Sequence, residues 1–435
     1  MGSRHGHHHH HVAADAPPDP PGARRITLAL LIPAVILTAV GMALLWPRDA
    51  PAPAGGEPPP RITGEVVAVA VQECPEAPGG EEAPAGLPPV TCGTVTVRLT
   101  DGDQAGAEIT TDIPAGPGAV QVSPGDDVVL IQLDNAEGPA YSIIDHQRST
   151  QLWLLAAAFA LAVLAFGRWR GLGALAGLAV TFSVLLLFIV PAILDGRSPV
   201  LVAIVGAAAI MLTVLYLTHG FSMTTTVAVV GTLASLTLTA VLSAAVTAAT
   251  KLTGVADETS SYLNMTQSDV NMRGLLLAGI VIGSLGVLDD VTVTQSATVT
   301  ELAVANPAYG FRRLYGAATR VGRAHIASVI NTIVLAYAGA SLPLMLLFAA
   351  GSTSVGELLT GELIAQELVR SGVGTIGLIA AVPITTALAA LLAARHPGAV
   401  AAETSPATPA PAPREAEAAP VEDPWMAFVD RPADR

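Results

Sequence analysis

The apolar residues of this chain fall in long blocks, and that pattern leaves few folds open to it. A helix needs about 20 consecutive apolar residues to cross a bilayer core of about 30 Å. Eight blocks approach or exceed that length: Ile26–Trp46, Leu152–Phe166, Leu172–Leu194, Val200–Leu217, Met223–Leu252, Gly274–Leu288, Ile326–Ala350 and Val373–Ala394. The second is short and is read as beginning near Thr150; the fifth is long and is read as tilted or as continuing beyond the membrane. With 51% of residues hydrophobic and only 13% charged, an ordinary soluble domain is excluded. The predicted fold class is mainly α, a polytopic helical membrane bundle of about eight spans, with the lipid bilayer as its first partner.

Orientation follows from Lys and Arg near the helix ends. Arg24 and Arg25 precede the first block, Arg168 and Arg170 separate the second from the third, Arg312, Arg313, Arg320 and Arg323 precede the seventh, and Arg395 follows the eighth. Eight alternating crossings from an inner N-terminus put all of these on the cytoplasmic side, with both termini inside. Asp195, Asp257, Glu258, Asp269, Glu357, Glu362 and Glu367 fall outside, with Arg197, Lys251, Arg273 and Arg370 as minor exceptions. The net charge of −14 resides mostly in the outer segments and the tail, so nucleic acid is not an expected partner.

The expected domains follow. Residues 1–24 hold the run His7 to His11 and a Pro/Ala-rich stretch, read as a disordered arm with a tag-like run rather than a metal site. Residues 25–46 form a retained anchor, since the apolar run exceeds a typical signal core of about 7–15 residues. Residues 47–148 form a small all-β outer domain. Residues 149–396 form a seven-helix membrane domain, and residues 397–435 a disordered tail.

In the outer segment Arg61–Val69, Gly93–Leu99 and Asp127–Leu133 alternate and are rich in β-branched residues, and Asp101-Gly102, Pro117-Gly118 and Pro124-Gly125 mark turns. Short strands with such turns predict a small antiparallel barrel or sandwich, with the oligonucleotide-binding type among the options. No basic or aromatic surface supports nucleic-acid binding. The two cysteines, Cys74 and Cys92, both lie here, where a disulfide is the default in an oxidising compartment. A redox or metal role fits their spacing poorly.

Small residues recur at Gly171, Gly173 and Gly177, at Gly279, Gly283 and Gly286, and at Gly372, Gly374 and Gly377, as expected where helix backbones pack closely. Pro33, Pro191, Pro343 and Pro383 lie in or at the ends of spans, the last two beside Ser341 and Thr385-Thr386. Tyr309–Arg323 reads as a basic amphipathic segment on the inner surface, and Glu357–Arg370 as an acidic one on the outer surface.

The adjacent carboxylates Asp289 and Asp290 end an apolar run, and Thr292, Thr294 and Gln295 follow. A charge within the bilayer costs at least about 2.5–3.5 kcal/mol, so such groups are usually functional. Asp290, Thr294 and Gln295 do not share one helical face, so one Asp is expected to face inward and the other the interface. Three readings stay open. The pair caps or snorkels at the interface beside the arginines of Phe311–Arg323; it lines a cation or proton path with Glu301 and His325 as relay or counter-charge; or it is a metal or catalytic carboxylate pair. Path candidates are Asp289, Asp290, Thr292, Thr294, Gln295, Glu301, His219, His325, Asn331 and Tyr337. Thr224 to Thr226 and Asn306 also stand out. No nucleotide-binding loop is visible, which argues against ATP-driven transport by this chain alone.

Three segments are similar to the YibE/F-like family of bacterial multi-pass membrane proteins. They are Leu217–Gly220, Gly286–Gln295, and His325–Ser328 through Asn331-Thr332 to Leu335–Pro343. The approach Tyr141–Arg148 adds to them, and the likeness runs from about Arg61 to Ala394. It implies a plasma-membrane protein with an outer β-rich segment, and it supplies no catalytic residues. The functional expectation is a transporter or permease of a small solute or cation. The alternative is a membrane scaffold or envelope-assembly factor whose outer domain binds a protein partner or a second copy. No cofactor, metal or catalytic residue is expected.

Overall fold

In the computed structural model the described residues are 21–48, 59–72, 92–115, 118–135, 138–351, 356 and 360–395. The chain divides into two compact units. One comprises Pro47–Gly196 with Glu258–Val270; the other comprises Met1–Trp46, Arg197–Asp257 and Asn271–Arg435. The helices at 149–194 group with the β segment.

The first unit opens with five antiparallel strands: β1 (Arg61–Gln72), β2 (Cys92–Leu99), β3 (Glu108–Asp112), β4 (Asp127–Asn135) and β5 (Gly138–His146). Their order is β3-β2-β1-β4-β5. Alternation sends Ile62, Val66, Val95, Val97, Leu99, Val128, Leu130 and Ile143 to one face, where they form the core. A bulge leaves Val67 out of register between Val66↔Val97 and Ala68↔Thr96. The expected barrel is corrected to an open sheet. β3 has only five residues and, among the described strands, pairs with β2 alone. Its approach to β5 is a side-chain bond, Thr111 Oγ1 donating to the Tyr141 carbonyl oxygen at 2.5 Å, in place of a backbone ladder.

The sheet hands over to helix at a fixed junction. Arg148 Nη1 donates to Asp145 Oδ1 at 2.7 Å and the His146 backbone N–H to the same oxygen at 2.9 Å. The Arg148 bond, then that N–H, hold the exposed Asp145 carboxyl below its ordinary range. Helix α2 (Ser149–Val184) continues through a π turn, Leu185–Ile189, into α3 (Val190–Leu194). Pro191 explains the π turn: it lacks an N–H and crowds the carbonyl four residues back, so the wider turn relieves it. Arg168 interrupts α2 with φ 50° and ψ −127°. A Cβ on Gly171 would collide with the carbonyl of Val163, eight residues earlier and about 12 Å away in a straight helix. The chain thus folds back at Arg168 into two segments of about 28 and 39 Å at 1.5 Å per residue. The remaining helix of this unit is α6 (Glu258–Thr266).

The second unit contains α1 (Pro21–Leu45), α4 (Pro199–His219), α5 (Met223–Ala249), α7 (Met272–Ala305), α8 (Phe311–Ala340), α9 (Leu342–Ala350) and α10 (Glu362–Arg395). Ser222 caps α5 by accepting from the Thr225 N–H, and Asn271 caps α7 by accepting from the Gly274 N–H. Helices α5 and α7 run antiparallel in step, since Thr224–Thr300 and Thr232–Thr292 pair their hydroxyls at 3.0 and 2.5 Å. On its other flank α5 meets α10 in the same manner. A Cβ on Gly231 would strike the Thr385 hydroxyl, and one on Gly377 the Thr239 hydroxyl. Glycine on each helix thus receives a threonine from the other. Gly231, Ser235, Thr239, Ser243 and Thr247, every fourth residue of α5, are all buried along this seam.

Several expectations need amending. The run holding Asp289 and Asp290 does not end there: α7 continues to Ala305, so the carboxylates lie about 25 Å from its start in a helix of about 51 Å. Tyr309–Arg323 is not a separate surface helix. From Phe311 it is the first part of α8, and Leu314, Ala318, Gly322 and Ile326 are its buried face. The acidic segment likewise joins the last helix, from Glu362 onward. There Glu362 Oε1 accepts from the Thr253 N–H at 2.7 Å, the Thr253 hydroxyl at 2.5 Å and the Gly254 N–H at 3.2 Å. Ser341 separates α8 from α9, where Pro343 removes a donor. Of the small residues, Gly171, Gly177 and Gly377 are buried, whereas a Cβ at Gly279, Gly286 or Gly372 would meet nothing.

Gly322 is the tightest point on α8. A Cβ there would come 2.6 Å from Gln295 Oε1 and 2.8 Å from Val382 Cγ1. Gly322→Val is expected to destabilise the protein by about 1–3 kcal/mol through overpacking. Gly279→Ala is expected to be neutral or to stabilise by about 0.5–1 kcal/mol through helix propensity. Thermal unfolding in detergent would check both; equal melting temperatures would contradict the packing described.

Candidate functional site

The site is built where α7, α8 and α10 meet. Gly283, Ser284 and Val287 of α7 and Ile333 and Tyr337 of α8 line a cavity, which α10 completes with Ser371, Gly374, Thr375 and Leu378. The space open to the centre of a water molecule is about 20 Å³. About 10–15 Å³ on that measure holds one water, so one fits here and a solute does not. Four hydroxyl side chains border the cavity, of which Ser284 donates to the Val281 carbonyl at 2.9 Å. The Tyr337 hydroxyl oxygen would lie 3.7 Å from a Cβ at Gly283, an ordinary contact distance, which sets that hydroxyl beside α7.

Further along the same two helices His325 Nε2 stands 3.9 Å from Asp290 Oδ2. Asp290 is exposed, His325 half-buried. Residues 283, 287 and 290 share one face of α7. On α8 Ile333 and Tyr337 are neighbours, and His325, two turns before Ile333, lies about 80° round the helix from it. The cavity and the His–Asp pair therefore fall in line along α7, where it faces α8. Asp289 is turned about 100° away on α7. It is half-buried, and its Oδ1 is enclosed without a hydrogen-bond partner among the described residues.

The other candidates divide sharply. Thr292 is fully buried, bonded to Thr232 and donating to the Asp289 backbone carbonyl at 3.1 Å. Gln295 is also buried, and its Nε2 donates to the Ala318 carbonyl at 2.9 Å and to Thr386 Oγ1 at 2.7 Å. Both fasten helices together. Thr294 and Glu301 are exposed on α7, Glu301 about 16 Å from Asp290 along the axis. His219 is exposed at the end of α4, where its Nδ1 lies 2.8 Å from the Thr218 hydroxyl. Asn331 is exposed on α8. Among the candidates, then, Asp290, His325 and Tyr337 share the seam. Among the described residues no cluster of three or more His, Cys, Asp or Glu side chains could hold a metal ion. Cys92 begins β2 opposite Gln72, and Cys74 lies outside the described residues.

Sequence reasoning missed Ser284, Ser371 and Thr375. Ser284 is a single hydroxyl in an apolar run, and Ser371 and Thr375 lie among glycines just after Arg370, all unremarkable until three helices converge. Ser371 and Thr375 are four residues apart, and that spacing was the available signal.

Among the described residues seven helices are long and apolar enough to cross a membrane by length and composition, the longest being the folded-back Ser149–Leu194. Helices of this length and apolarity, packed together with polar side chains turned between them, are those of a membrane protein. Residues 155–395 match the sequence profile of the YibE/F-like protein family, and the chain belongs to that family. No curated protein and no solved structure matches it.

The two kinds of polar residue should separate in stability measurements. Gln295→Leu strands two hydrogen-bond partners and is expected to cost about 1–3 kcal/mol. Asp290→Asn removes only a partly exposed ion pair and is expected to cost under about 1 kcal/mol. Thermal unfolding of the purified variants would check this; a larger loss for Asp290→Asn would make that residue a structural fastener.

Proposed function

We propose that this protein is a transporter or permease of a small solute or ion in the bacterial plasma membrane, with the seam of α7, α8 and α10 as its path. The observation that carries this reading is the alignment of a hydroxyl-lined cavity with the Asp290–His325 pair on one seam. A carboxylate exposed at mid-helix costs at least about 2.5 kcal/mol in lipid, so it needs water or a counter-charge. His325, once protonated, supplies the counter-charge. Asp289 contributes charge from the neighbouring face. Glu301, Thr294, Asn331 and His219 stay peripheral to this reading.

The direct test is flux in proteoliposomes across a panel of small solutes and cations. Asp290→Asn and His325→Gln should each lower flux at least about tenfold, the effect expected of groups acting on the transported species. Arg312→Gln should change it little. Variants matching wild type would remove the pair from the path, and a wild type without flux on any panel member would remove transport.

The reading includes eight crossings with both termini cytoplasmic, Arg168 marking the turn between the second and third. It also includes a disulfide between Cys74 and Cys92: β1 ends at Gln72 opposite Cys92, two residues short of Cys74. Maleimide labelling of intact cells tests both. The native chain should react only after reduction. A cysteine introduced at Asp257, with both native cysteines replaced by Ser, should react from outside, and one at Arg313 should not. External labelling at Arg313 would reverse the topology.

The alternative is a scaffold or envelope-assembly factor, with the outer domain as its docking surface. Val67 at the bulge of β1 and Val71 near its end, where it pairs with Gly93 of β2, are exposed. A cell phenotype lost with Val71→Asp and retained with Asp290→Asn would favour it.

A further inference from the structure

We propose that the ion carried along the α7–α8–α10 seam is the proton, and that Val287, Ile333 and Leu378 form the septum separating the Tyr337 cavity from the His325–Asp290 pair. The proposal rests on the transport reading above and names its coupling ion and its gate. Three observations support it. The cavity has room for a single water, so in this conformation it admits nothing larger than water or a hydrated proton. His325 Nε2 is enclosed without a hydrogen-bond partner among the described residues, and it lies 3.9 Å from Asp290 Oδ2. The stretch between the two polar places is apolar and short: Val287 and Asp290 are one turn apart on α7, and Ile333 and His325 two turns apart on α8, with Val329 between.

Two titratable groups of α7 lie here: Asp290, which faces His325, and its neighbour Asp289, turned about 100° away and close enough for the two charges to interact. Helix α10 has no titratable side chain between Arg370 and Arg395. The chemistry is balanced and needs no co-reactant. A proton arriving on Nε2 converts imidazole to imidazolium, paired with the Asp290 carboxylate. Its departure restores the neutral ring. A narrow apolar septum blocks water until it widens, the way hydrophobic constrictions gate by dewetting.

The experiment uses the full chain in proteoliposomes holding a pH-sensitive dye. A pH gradient is imposed, and potassium with valinomycin cancels the membrane potential. Val287→Ala and Ile333→Ala should each speed decay of the gradient by about tenfold over wild type by thinning the septum. Leu335→Ala, which is exposed on α8, should not. Adding Asp290→Asn to Ile333→Ala should return decay to the wild-type rate. Size-exclusion elution identical to wild type establishes that each variant is folded. Wild-type decay in both septum variants would overturn the gate, and a leak in Ile333→Ala indifferent to Asp290→Asn would overturn the relay. The two readings fail separately. Solute flux in wild type with no leak in the septum variants moves the path elsewhere and leaves transport standing. A septum leak without solute flux in wild type leaves the proton path standing alone.

Discussion

The close approach of α5, α7 and α10 governs the rest of the helical unit. Within a bilayer apolar side chains gain little by leaving lipid for protein, so helices adhere by close packing and by hydrogen bonds. This chain uses both on one helix. Toward α10, α5 presents glycine where α10 presents threonine, at Gly231 and Thr385, and the reverse eight residues on, at Thr239 and Gly377. Toward α7 it presents hydroxyls that pair with hydroxyls. Single bonds of this kind average about 0.6 kcal/mol, so no one of them holds the bundle. The repeat along both flanks does, and Gln295 then ties α7 to both α8 and α10.

That arrangement explains why adjacent carboxylates differ. Consecutive helical residues point about 100° apart. With α7 packed on α5 and α10, one of Asp289 and Asp290 has to turn toward the packed side and the other toward α8. Asp289 is the enclosed one and Asp290 the exposed one, with His325 opposite. Asp290, not Asp289, is therefore the carboxylate that stands opposite His325. Asp290 with His325 forms a unit of opposite charge whenever the imidazole is protonated, which is the cheaper way to keep a carboxylate at mid-helix.

Much of this was legible in the sequence. The apolar blocks mark the long helices, the glycines at 171 and 177 mark close contacts, and the strands at Arg61, Gly93 and Asp127 follow from alternation. Asp290, His325 and Tyr337 were singled out on chemistry alone, and they share a seam. Other features were hidden for identifiable reasons. Strand β3 is short and polar, so its period of two does not rise above noise. The continuation of α7 beyond Asp290 is concealed because Thr292, Thr294, Gln295 and Ser296 read as an exit from the membrane, although three of the four are buried between helices. The division of labour between Thr292 or Gln295 as fasteners and Asp290 as a site residue depends on which neighbour each faces. A single sequence does not encode that in any local pattern.

Helix α8 is held unevenly, and this bears on how the seam works. Its buried positions, Leu314, Ala318, Gly322 and Ile326, all fall between its start and its midpoint turn. Gly322 locks the first half against Gln295 and Val382. Beyond Ile326 no residue of α8 is fully buried, and the helix breaks at Ser341 before Pro343. Local opening is cheapest where few side chains are packed. A displacement of the second half of α8 would therefore cost less than any movement of α5 against α7 or α10, where every fourth residue interlocks. The half that yields most readily carries Ile333 and Tyr337, and the half that is fixed carries His325. Opening the cavity side of the seam thus leaves the imidazole in place beside Asp290, so widening the septum need not disturb the charged pair that it guards.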